Sequence, residues 1–264
     1  MGFVIKKIIS IIFYVFGITK LMEKRLDRKY NDQYIRIINY HNTTKQYSKQ
    51  FERQLQWYQK KFVNVSYEEF DLFMSGGQYN GEKPGIILTF DDGYKENYEV
   101  AYPLLEKYGF TGYFMCSSDL VGTDGYMTIN EIKKVVKKGH VIGDHTATHH
   151  RMLEEDSYDT LKHEIIDSKT KLEEMIKKEV EIFCWCGGEE EHYTKKAFDV
   201  VQNVGYKYSF MTNSEPVTQF TDKLHIQRTN IEDNWSLYLV KFQLCGFMDM
   251  RFEKKRIRVN KKLS

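Results

Sequence analysis

The strongest constraint on the fold is a short apolar stretch followed by two adjacent carboxylates. Residues 86–90 are Ile-Ile-Leu-Thr-Phe, and Asp91, Asp92 and Gly93 follow them. A β-favouring run of this kind, with Gly85 in front of it, is typical of a buried strand. Two neighbouring carboxylates repel each other unless a cation or a proton intervenes. The alternative is that the pair only caps a following helix, which is a favoured position for Asp.

Segments typical of strands and helices alternate around this stretch. Residues 35–41 favour a first strand that ends on His41, and residues 94–108 have helical periodicity and end at a glycine. A strand at 111–116, a helix at 128–138 and a strand at 140–143 follow. The alternation predicts a parallel sheet or barrel with its functional groups at the carboxyl ends of the strands.

A second polar group follows the strand predicted at residues 140–143. His145 and His149 are four positions apart, so a helical turn would place both imidazoles on one face. Two His and one carboxylate supply three ligands and leave positions open for water and substrate, as in catalytic zinc sites. Because this pair also lies at a strand end, the sequence predicts a metal centre that the two His share with one of the two Asp.

The two motifs resemble those of a known family. Residues 89–93 (TFDDG) and 145–149 (HTATH) are similar to the first and second motifs of the NodB-homology polysaccharide deacetylases, a carbohydrate esterase family, in the same order. The resemblance extends over roughly residues 35–232. It implies an α/β fold of the TIM-barrel-like kind, a distorted (β/α)7 barrel.

The resemblance also implies a ligand set and a reaction. Asp92, His145 and His149 would hold a divalent metal, usually Zn²⁺ with Co²⁺, Ni²⁺ or Fe²⁺ as alternatives, and Asp91 would be the catalytic base. The implied enzyme hydrolyses the N-acetyl amide of an amino-sugar glycan, either a polysaccharide or a glycolipid precursor.

Later segments resemble the family more loosely. A motif similar to Leu-x-His makes His225 the candidate general acid, with a water or His41 in reserve. The family branch that this chain most resembles, which includes membrane-associated poly-N-acetylglucosamine deacetylases, often has an Arg near the catalytic Asp, which implies such a role for Arg228. A surface His or a structural Arg is the alternative interpretation of each residue.

The third motif departs from the family pattern. The family has Pro-Tyr-Gly or Pro-Phe-Gly where residues 183–188 are Phe-Cys-Trp-Cys-Gly-Gly, so that Cys186 replaces the proline or its neighbour. His150 likewise stands where the family commonly has proline, which should change the local turn and not the ligands. We expect Tyr94, Trp185 and Gly187 to contact the substrate, with Trp185 forming the wall of the groove.

Three other functions remain open at this stage. The enzyme could be a deformylase or deacetylase of a lipid-linked amino sugar, or the barrel could bind carbohydrate without catalysis. Two His and one carboxylate also bind non-haem iron in oxygenases. Those sites do not need a second adjacent Asp, and their usual all-β scaffold conflicts with the alternation of strands and helices.

The amino-terminal segment predicts contact with a membrane surface. Basic residues surround an apolar run, but only 12 residues separate Lys7 from Lys20, fewer than the roughly 20 needed to span a bilayer as a helix. We expect residues 1–29 to be an amphipathic, membrane-associating segment with its basic side chains on anionic headgroups. The alternative is a helix packed on the domain.

The remaining chain is expected to be one catalytic domain at 30–250 and a solvated basic tail at 251–264 that could also contact the membrane. The net charge of +2 argues against nucleic acid as a partner. The four Cys do not have the spacing of a disulfide framework, which favours a reducing compartment and hence the cytoplasmic face of the membrane. The sequence gives no indication of the oligomeric state.

Overall fold

A parallel β-sheet that curls into a nearly closed barrel forms the centre of the protein. The computed structural model describes residues 2–78 and 81–264. The strands of the described residues are β1 (Ile35–Tyr40), β2 (Val63–Asn64), β3 (Gly85–Phe90), β4 (Gly112–Cys116), β5 (Val141–Asp144), β6 (Ile182–Cys184), β7 (Tyr208–Met211), β8 (Ile226–Gln227) and β9 (Thr229–Asn230).

The order of the strands is β8-β7-β6-β5-β4-β3-β1-β9, and the short β2 pairs with β3 beside this path. All of these pairings are parallel. Because β8 and β9 are separated only by Arg228, residues 226–230 pair with β7 at one end and with β1 at the other. If this segment counts as one interrupted strand, seven strands form the ring, which confirms the predicted distorted (β/α)7 barrel.

Helices surround this ring. They are α1 (Phe3–Val15), α2 (Ile18–Tyr30), α3 (Ser48–Lys61), α4 (Tyr67–Met74), α5 (Tyr102–Tyr108), α6 (Ile129–Lys137), α7 (Tyr158–Leu161), α8 (Ser168–Ile176), α9 (Lys195–Val204), α10 (Leu237–Leu244) and α11 (Phe247–Leu263). Helix α4 begins with the capping box that Ser66 and Glu69 form.

Alternate residues of each strand face two separate apolar cores. One core fills the barrel with residues such as Ile37, Ile87 and Phe210, and α4 packs against it through Phe70 and Phe73. The other core lies between the strands and the outer helices. At the carboxyl ends of the strands, the residues whose side chains face inward therefore converge above the inner core.

The carboxyl-terminal residues form a helix that packs on the domain. The prediction of a solvated tail from residue 251 is therefore wrong. Val259 and Leu263 of α11 are fully buried. Asp249 accepts hydrogen bonds at 2.8 Å and 2.6 Å from the guanidinium of Arg36, which lies in β1. The basic composition concealed apolar residues that recur at helical spacing on the inner face of α11.

The first helix of the amino-terminal segment packs on the domain, which is the alternative arrangement, and leaves an apolar face exposed. One face of α1 packs on the domain, where the ring of Phe13 contacts those of Phe242 and Phe247 with centroids 5.2 Å and 5.4 Å apart. The opposite face is apolar and exposed. Within the two described ranges, no helix is both long enough and apolar enough to cross a membrane.

Candidate active site

A cavity of about 430 Å³ opens at the carboxyl ends of the strands. Asp91 and Asp92 directly follow β3, His145 follows β5, and Arg228 separates β8 from β9. These residues converge because all parallel strands of a barrel end at the same side. The lining of the cavity includes Asn39, His41, Asp91, Asp92, His145 and His149.

Asp91 forms a buried, two-point ion pair with Arg228. Nη1 donates to Oδ1 at 2.6 Å, and Nη2 donates to Oδ2 at 2.8 Å. Burial has the largest single effect and would raise the pKa of Asp91, but the Arg228 guanidinium together with His145 and His41 outweighs it and holds that pKa below its usual value. Asp91 is therefore ionised at neutral pH and fixed in orientation.

Two neighbours hold Arg228 in place. Its Nη1 also donates to the Thr89 hydroxyl at 2.9 Å and to Oδ1 of Asn39 at 3.2 Å. Thr89 and Asp91 are two positions apart, so both continue the inward series of β3. The structure thus places Arg228 against Asp91, where the resemblance led us to expect it.

Replacing Arg228 with Gln is expected to lower the free energy of unfolding at pH 7 by about 3–5 kcal/mol, because Asp91 would stay buried without its counter-charge. Chemical denaturation followed by circular dichroism measures this difference. Burial would raise the pKa of the unpaired Asp91, so protonation in acid removes the penalty. The deficit relative to the wild type should therefore shrink as the pH falls.

The stability of the wild-type protein as a function of pH is the reference for the Arg228→Gln variant. The pKa of Asp91 in the folded state lies below its unfolded value of about 3.9. Its ion pair therefore stabilises fully above that value, and the stabilisation is lost as the pH falls through the folded-state pKa. The double variant Asp91→Asn, Arg228→Gln is the matched control and should recover stability, because neither charge is then buried alone. An Arg228→Gln protein as stable as the wild type at pH 7 would contradict the assignment.

Asp92, His145 and His149 form a second cluster beside this ion pair. Oδ1 of Asp92 lies 3.3 Å from Nε2 of His145 and 3.0 Å from Nε2 of His149. The three predicted ligands are thus brought together around one carboxylate oxygen.

The segment that carries the two histidines is not the helical turn considered from the sequence. No helix is assigned to residues 145–149, where Thr146 and His149 have φ of 63°. Asp92 also has a positive φ, 71°. Non-glycine residues adopt this left-handed conformation infrequently, and it clusters at functional sites. Backbone turns of this kind, rather than helical spacing, aim both imidazoles at Asp92.

These residues fit a divalent cation. Oδ1 of Asp92 is buried, and no described residue donates a hydrogen bond to it. Nδ1 of His145 lies 2.9 Å from the carbonyl oxygen of Cys184, which can accept its hydrogen and leave the lone pair of Nε2 directed at Asp92. Two electron-rich atoms facing each other in a buried site are costly unless a cation lies between them.

Two cysteines at the site were missed as functional candidates. Sγ of Cys184 donates to Oδ1 of Asp91 at 3.6 Å, and burial raises the pKa of this thiol to about 11. Sγ of Cys186 and ring nitrogens of His145 and His149 all lie within 4.8 Å of one another. The Cys-x-Cys spacing is a weak metal signal alone, but alternation along β6 would have placed both thiols on the inward side.

The same alternation corrects the prediction for Trp185. Its side chain lies between two inward-facing cysteines and so points to the outer helices, where its ring packs at 5.4 Å from those of Phe183 and Tyr193. The indole donates to the Ser209 hydroxyl at 2.7 Å and is 1% exposed. Trp185 does contribute to the lining of the cavity, as predicted, but it is almost fully buried and does not offer an open stacking surface to a sugar.

The structure does not bring His225 into the cavity. His225 precedes β8 and so lies towards the amino end of that strand. Its Nδ1 pairs with Asp222 at 3.0 Å, and its ring packs 5.0 Å from that of Phe198 on α9. The prediction that His225 is the general acid is corrected on this ground. The reserve candidate, His41, lines the cavity with a side chain that is 43% exposed.

The other two predicted substrate residues lie near the cluster. Tyr94 stacks on Tyr126 with ring centroids 5.4 Å apart. Burial and the nearby Asp92 raise the pKa of Tyr94. Gly187 lines the cavity with φ of 77°, and a Cβ there would lie 3.0 Å from a carboxylate oxygen of Glu189. A side chain at Gly187 would therefore be strained and would crowd the cavity wall.

Helix α11 adds residues to the cavity that the sequence did not predict. Phe252 and Lys255 line it, and Nζ of Lys255 donates to the carbonyl oxygen of Gly188. Residues 251–264 were interpreted as a tail and were therefore not connected with the site. The helical spacing of apolar residues in α11 was the signal that could have found them.

Three comparisons with known proteins agree with this geometry. The model of the family "Polysaccharide deacetylase" matches residues 78–209. The putative polysaccharide deacetylase YxkH of Bacillus subtilis is 25% identical over 206 residues, which cover 76% of this chain and 72% of that protein. The poly-beta-1,6-N-acetyl-D-glucosamine N-deacetylase of Staphylococcus aureus is 26% identical over 208 residues, which cover 73% of this chain and 69% of that protein.

A solved structure gives the same result for the fold. The Streptococcus pyogenes deacetylase PplD, in complex with acetate, superposes with a TM-score of 0.70 at 25% sequence identity. The superposition covers 80% of this chain and 98% of that protein.

Proposed function

Because the chain belongs to the polysaccharide deacetylase family, hydrolases that act on amide bonds, we propose that it removes N-acetyl groups from an amino-sugar glycan in a metal-dependent reaction. One observation carries the proposal. The buried Oδ1 of Asp92, approached by His145 and His149 and by no hydrogen-bond donor, lies beside a carboxylate that Arg228 keeps ionised.

The proposed cofactor is Zn²⁺, held by Asp92, His145 and His149. Two imidazoles and one carboxylate form a ligand set that zinc accepts in catalytic sites with an open position. The thiol of Cys186, which lies close to both His145 and His149, also favours zinc over harder cations such as Mg²⁺. When bound, such an ion polarises an amide carbonyl and lowers the pKa of a water towards neutrality.

In the proposed mechanism, Asp91 accepts the proton of the attacking water. The ion pair with Arg228 keeps Asp91 ionised and oriented in the cavity. It also makes Asp91 a weaker base, because it lowers the pKa of that carboxylate. Arg228 donates only to protein atoms and acts as a positioning residue. His41 lies in the same cavity and is the proposed donor of a proton to the leaving amine.

The test is to incubate zinc-loaded protein with N-acetylglucosamine oligomers and to measure released acetate. We expect acetate release that stops on chelation and returns when zinc is restored. A protein that binds zinc and the oligomers but releases no acetate would support the alternative of a non-catalytic carbohydrate-binding barrel. A protein that takes up iron and consumes oxygen would point to the oxygenase alternative.

We also propose that α1 attaches the protein to an anionic membrane surface. Basic side chains on the adjacent α2 would contact lipid headgroups. The free thiols of all four Cys support the cytoplasmic face. The outward face of α1 exposes Val4, Ile8, Ile11, Ile12 and Val15, and the exposed basic residues of α2 include Lys20, Lys24 and Arg25.

The triple variant Ile8→Ser, Ile11→Ser, Val15→Ser is expected to reduce binding to phosphatidylglycerol-containing vesicles at least about 10-fold. Each large apolar side chain contributes about 1.5–3 kcal/mol on burial, so losing three exceeds that change even with partial insertion. Co-sedimentation with vesicles measures the bound fraction. The matched control replaces two exposed apolar residues elsewhere, Phe220 and Ile257, with Ser. If the triple variant sediments like the wild type, α1 is not the attachment surface.

A further inference from the structure

A second cavity lies beside the candidate active site. Its volume is about 260 Å³, and α1, α10 and α11 contribute to its lining. Thr212, Asn230 and Phe252 line both cavities. A ligand that extends out of the active site past these three residues would therefore enter the second cavity.

The lining of the second cavity is basic. Lys6 of α1 and Arg251 of α11 contribute cations, and among the described residues no Asp or Glu belongs to the lining. Within the described part of the chain, neither cation has an ion-pair partner. Arg228 also reaches this lining, but its guanidinium is committed to Asp91.

Lys6 is a partly buried cation without an ion-pair partner among the described residues, and its pKa reflects this. Its Nζ lies 4.1 Å from the centroid of the Trp235 ring. Burial lowers the pKa of Lys6 to about 8, although the charge of Glu232 opposes this change. An anion bound next to Lys6 would raise this pKa again, because an opposite charge favours the ionised state.

A buried amide in the same lining also lacks a partner. Gln243 is 3% exposed, and no described residue donates a hydrogen bond to its Oε1. A buried polar atom without a partner is costly. Because the nitrogen and oxygen of an amide exchange places by rotation, Gln243 can turn an N–H group towards an anion in the cavity.

We propose that this second cavity binds a phosphate group of the substrate, so that the enzyme prefers a phosphorylated amino sugar to a neutral glycan end. Two cations and an amide N–H match the oxygens of a phosphate, which forms charge-assisted hydrogen bonds with such groups. The inference rests on the proposed deacetylation and names its substrate class. The phosphate could belong to a lipid-linked sugar or to a soluble sugar phosphate. Lys6 lies on the helix that we propose faces the membrane, which favours the lipid-linked form.

The first experiment measures binding without catalysis. Inorganic phosphate is titrated into the zinc-loaded protein while tryptophan fluorescence is recorded, since Trp235 lies next to Lys6. We expect a saturable change that is lost in the double variant Lys6→Gln, Arg251→Gln. The matched control, Lys254→Gln with Lys261→Gln, removes the same charge from exposed positions of α11 and should bind like the wild type.

The second experiment measures acetate release from three substrates. They are a neutral N-acetylglucosamine trimer, N-acetylglucosamine 1-phosphate and N-acetylglucosamine linked through phosphate to a short isoprenoid. In the double variant we expect KM for both phosphorylated substrates to rise at least about 10-fold, because each substitution removes a hydrogen bond between charged groups, and such bonds are stronger than neutral ones. Turnover of the trimer should not change, which also shows that the variant is folded. A lower KM for the isoprenoid form than for the 1-phosphate identifies the lipid-linked source.

Distinct results would overturn the two proposals. If phosphate produces no saturable signal in the wild type, or if the double variant binds it equally well, the phosphate site is wrong. An equal rise of KM for the trimer and the phosphorylated sugars would also overturn it. If phosphate binds as expected and none of the three sugars releases acetate, the phosphate site stands and the proposed deacetylation fails.

Discussion

Replacing Asp91 with Asn is expected to lower turnover of the zinc-loaded protein by about 10²–10⁴-fold, the contribution typical of a general base, while the zinc content stays equal to that of the wild type. The amide keeps the shape of the side chain but cannot take a proton from water. Asp91 is also not one of the three proposed ligands, so zinc should remain bound. Acetate release and elemental analysis of the same samples measure the two quantities.

The control for this variant replaces His225, the residue that was first predicted to be the general acid. His225→Gln changes a residue that pairs with Asp222 and packs on α9 outside the cavity, so its turnover should match that of the wild type. Because Asp91→Asn leaves the charge of Arg228 buried without a carboxylate, thermal unfolding is recorded and the assays are run well below the transition. Undiminished turnover in a folded, zinc-loaded Asp91→Asn protein would refute the role of Asp91 as the base.

The variant His149→Ala is expected to lose both zinc and turnover. Removing a direct ligand should weaken zinc binding by more than the roughly 10–100-fold that follows loss of an outer-shell partner. Competition with a chromophoric chelator measures the affinity. His149 suits this test better than His145, because its side chain is 37% exposed and that of His145 is 1% exposed. Truncation of His149 should therefore disturb the packing little.

The neighbouring residue provides a matched control. Nε2 of His150 lies 3.1 Å and 3.0 Å from the two carboxylate oxygens of Asp156, which hold it away from the metal cluster. His150→Ala should therefore retain zinc and most of the turnover. If both alanine variants lose zinc to the same extent, the effect comes from disruption of the turn and His149 is not a ligand.

The proposed metal centre could be located from the sequence because its residues lie within two short motifs at strand ends. The backbone that aims them could not be foreseen. Positive φ values at Asp92 and His149 are conformations that neither residue type predicts from local propensity. Tertiary contacts around the cavity select them, so a helical turn was a reasonable but incorrect model for the His pair.

Two other predictions differ from the structure, each for its own physical reason. Trp185 was expected to stack on a sugar because of its residue type, although strand alternation turns its side chain towards the outer helices and leaves it almost fully buried. Residues of α11 were interpreted as a tail because basic composition outweighed the apolar spacing that buries Val259 and Leu263. In both cases a periodic pattern was the better guide, and residue type or composition misled.

The position of Arg228 between β8 and β9 makes catalytic competence depend on completion of the fold. Its ion pair with Asp91 joins residues 137 positions apart, and Arg228 reaches that place only when the last strand joins β7 to β1. Contacts of such long range are costly in chain entropy and tend to form late in folding. A nascent or proteolysed chain that ends before residue 228 would hold both motifs of the proposed metal centre yet leave the proposed base, Asp91, without its partner. Hydrolytic activity would therefore appear only once the two ends of the barrel have met.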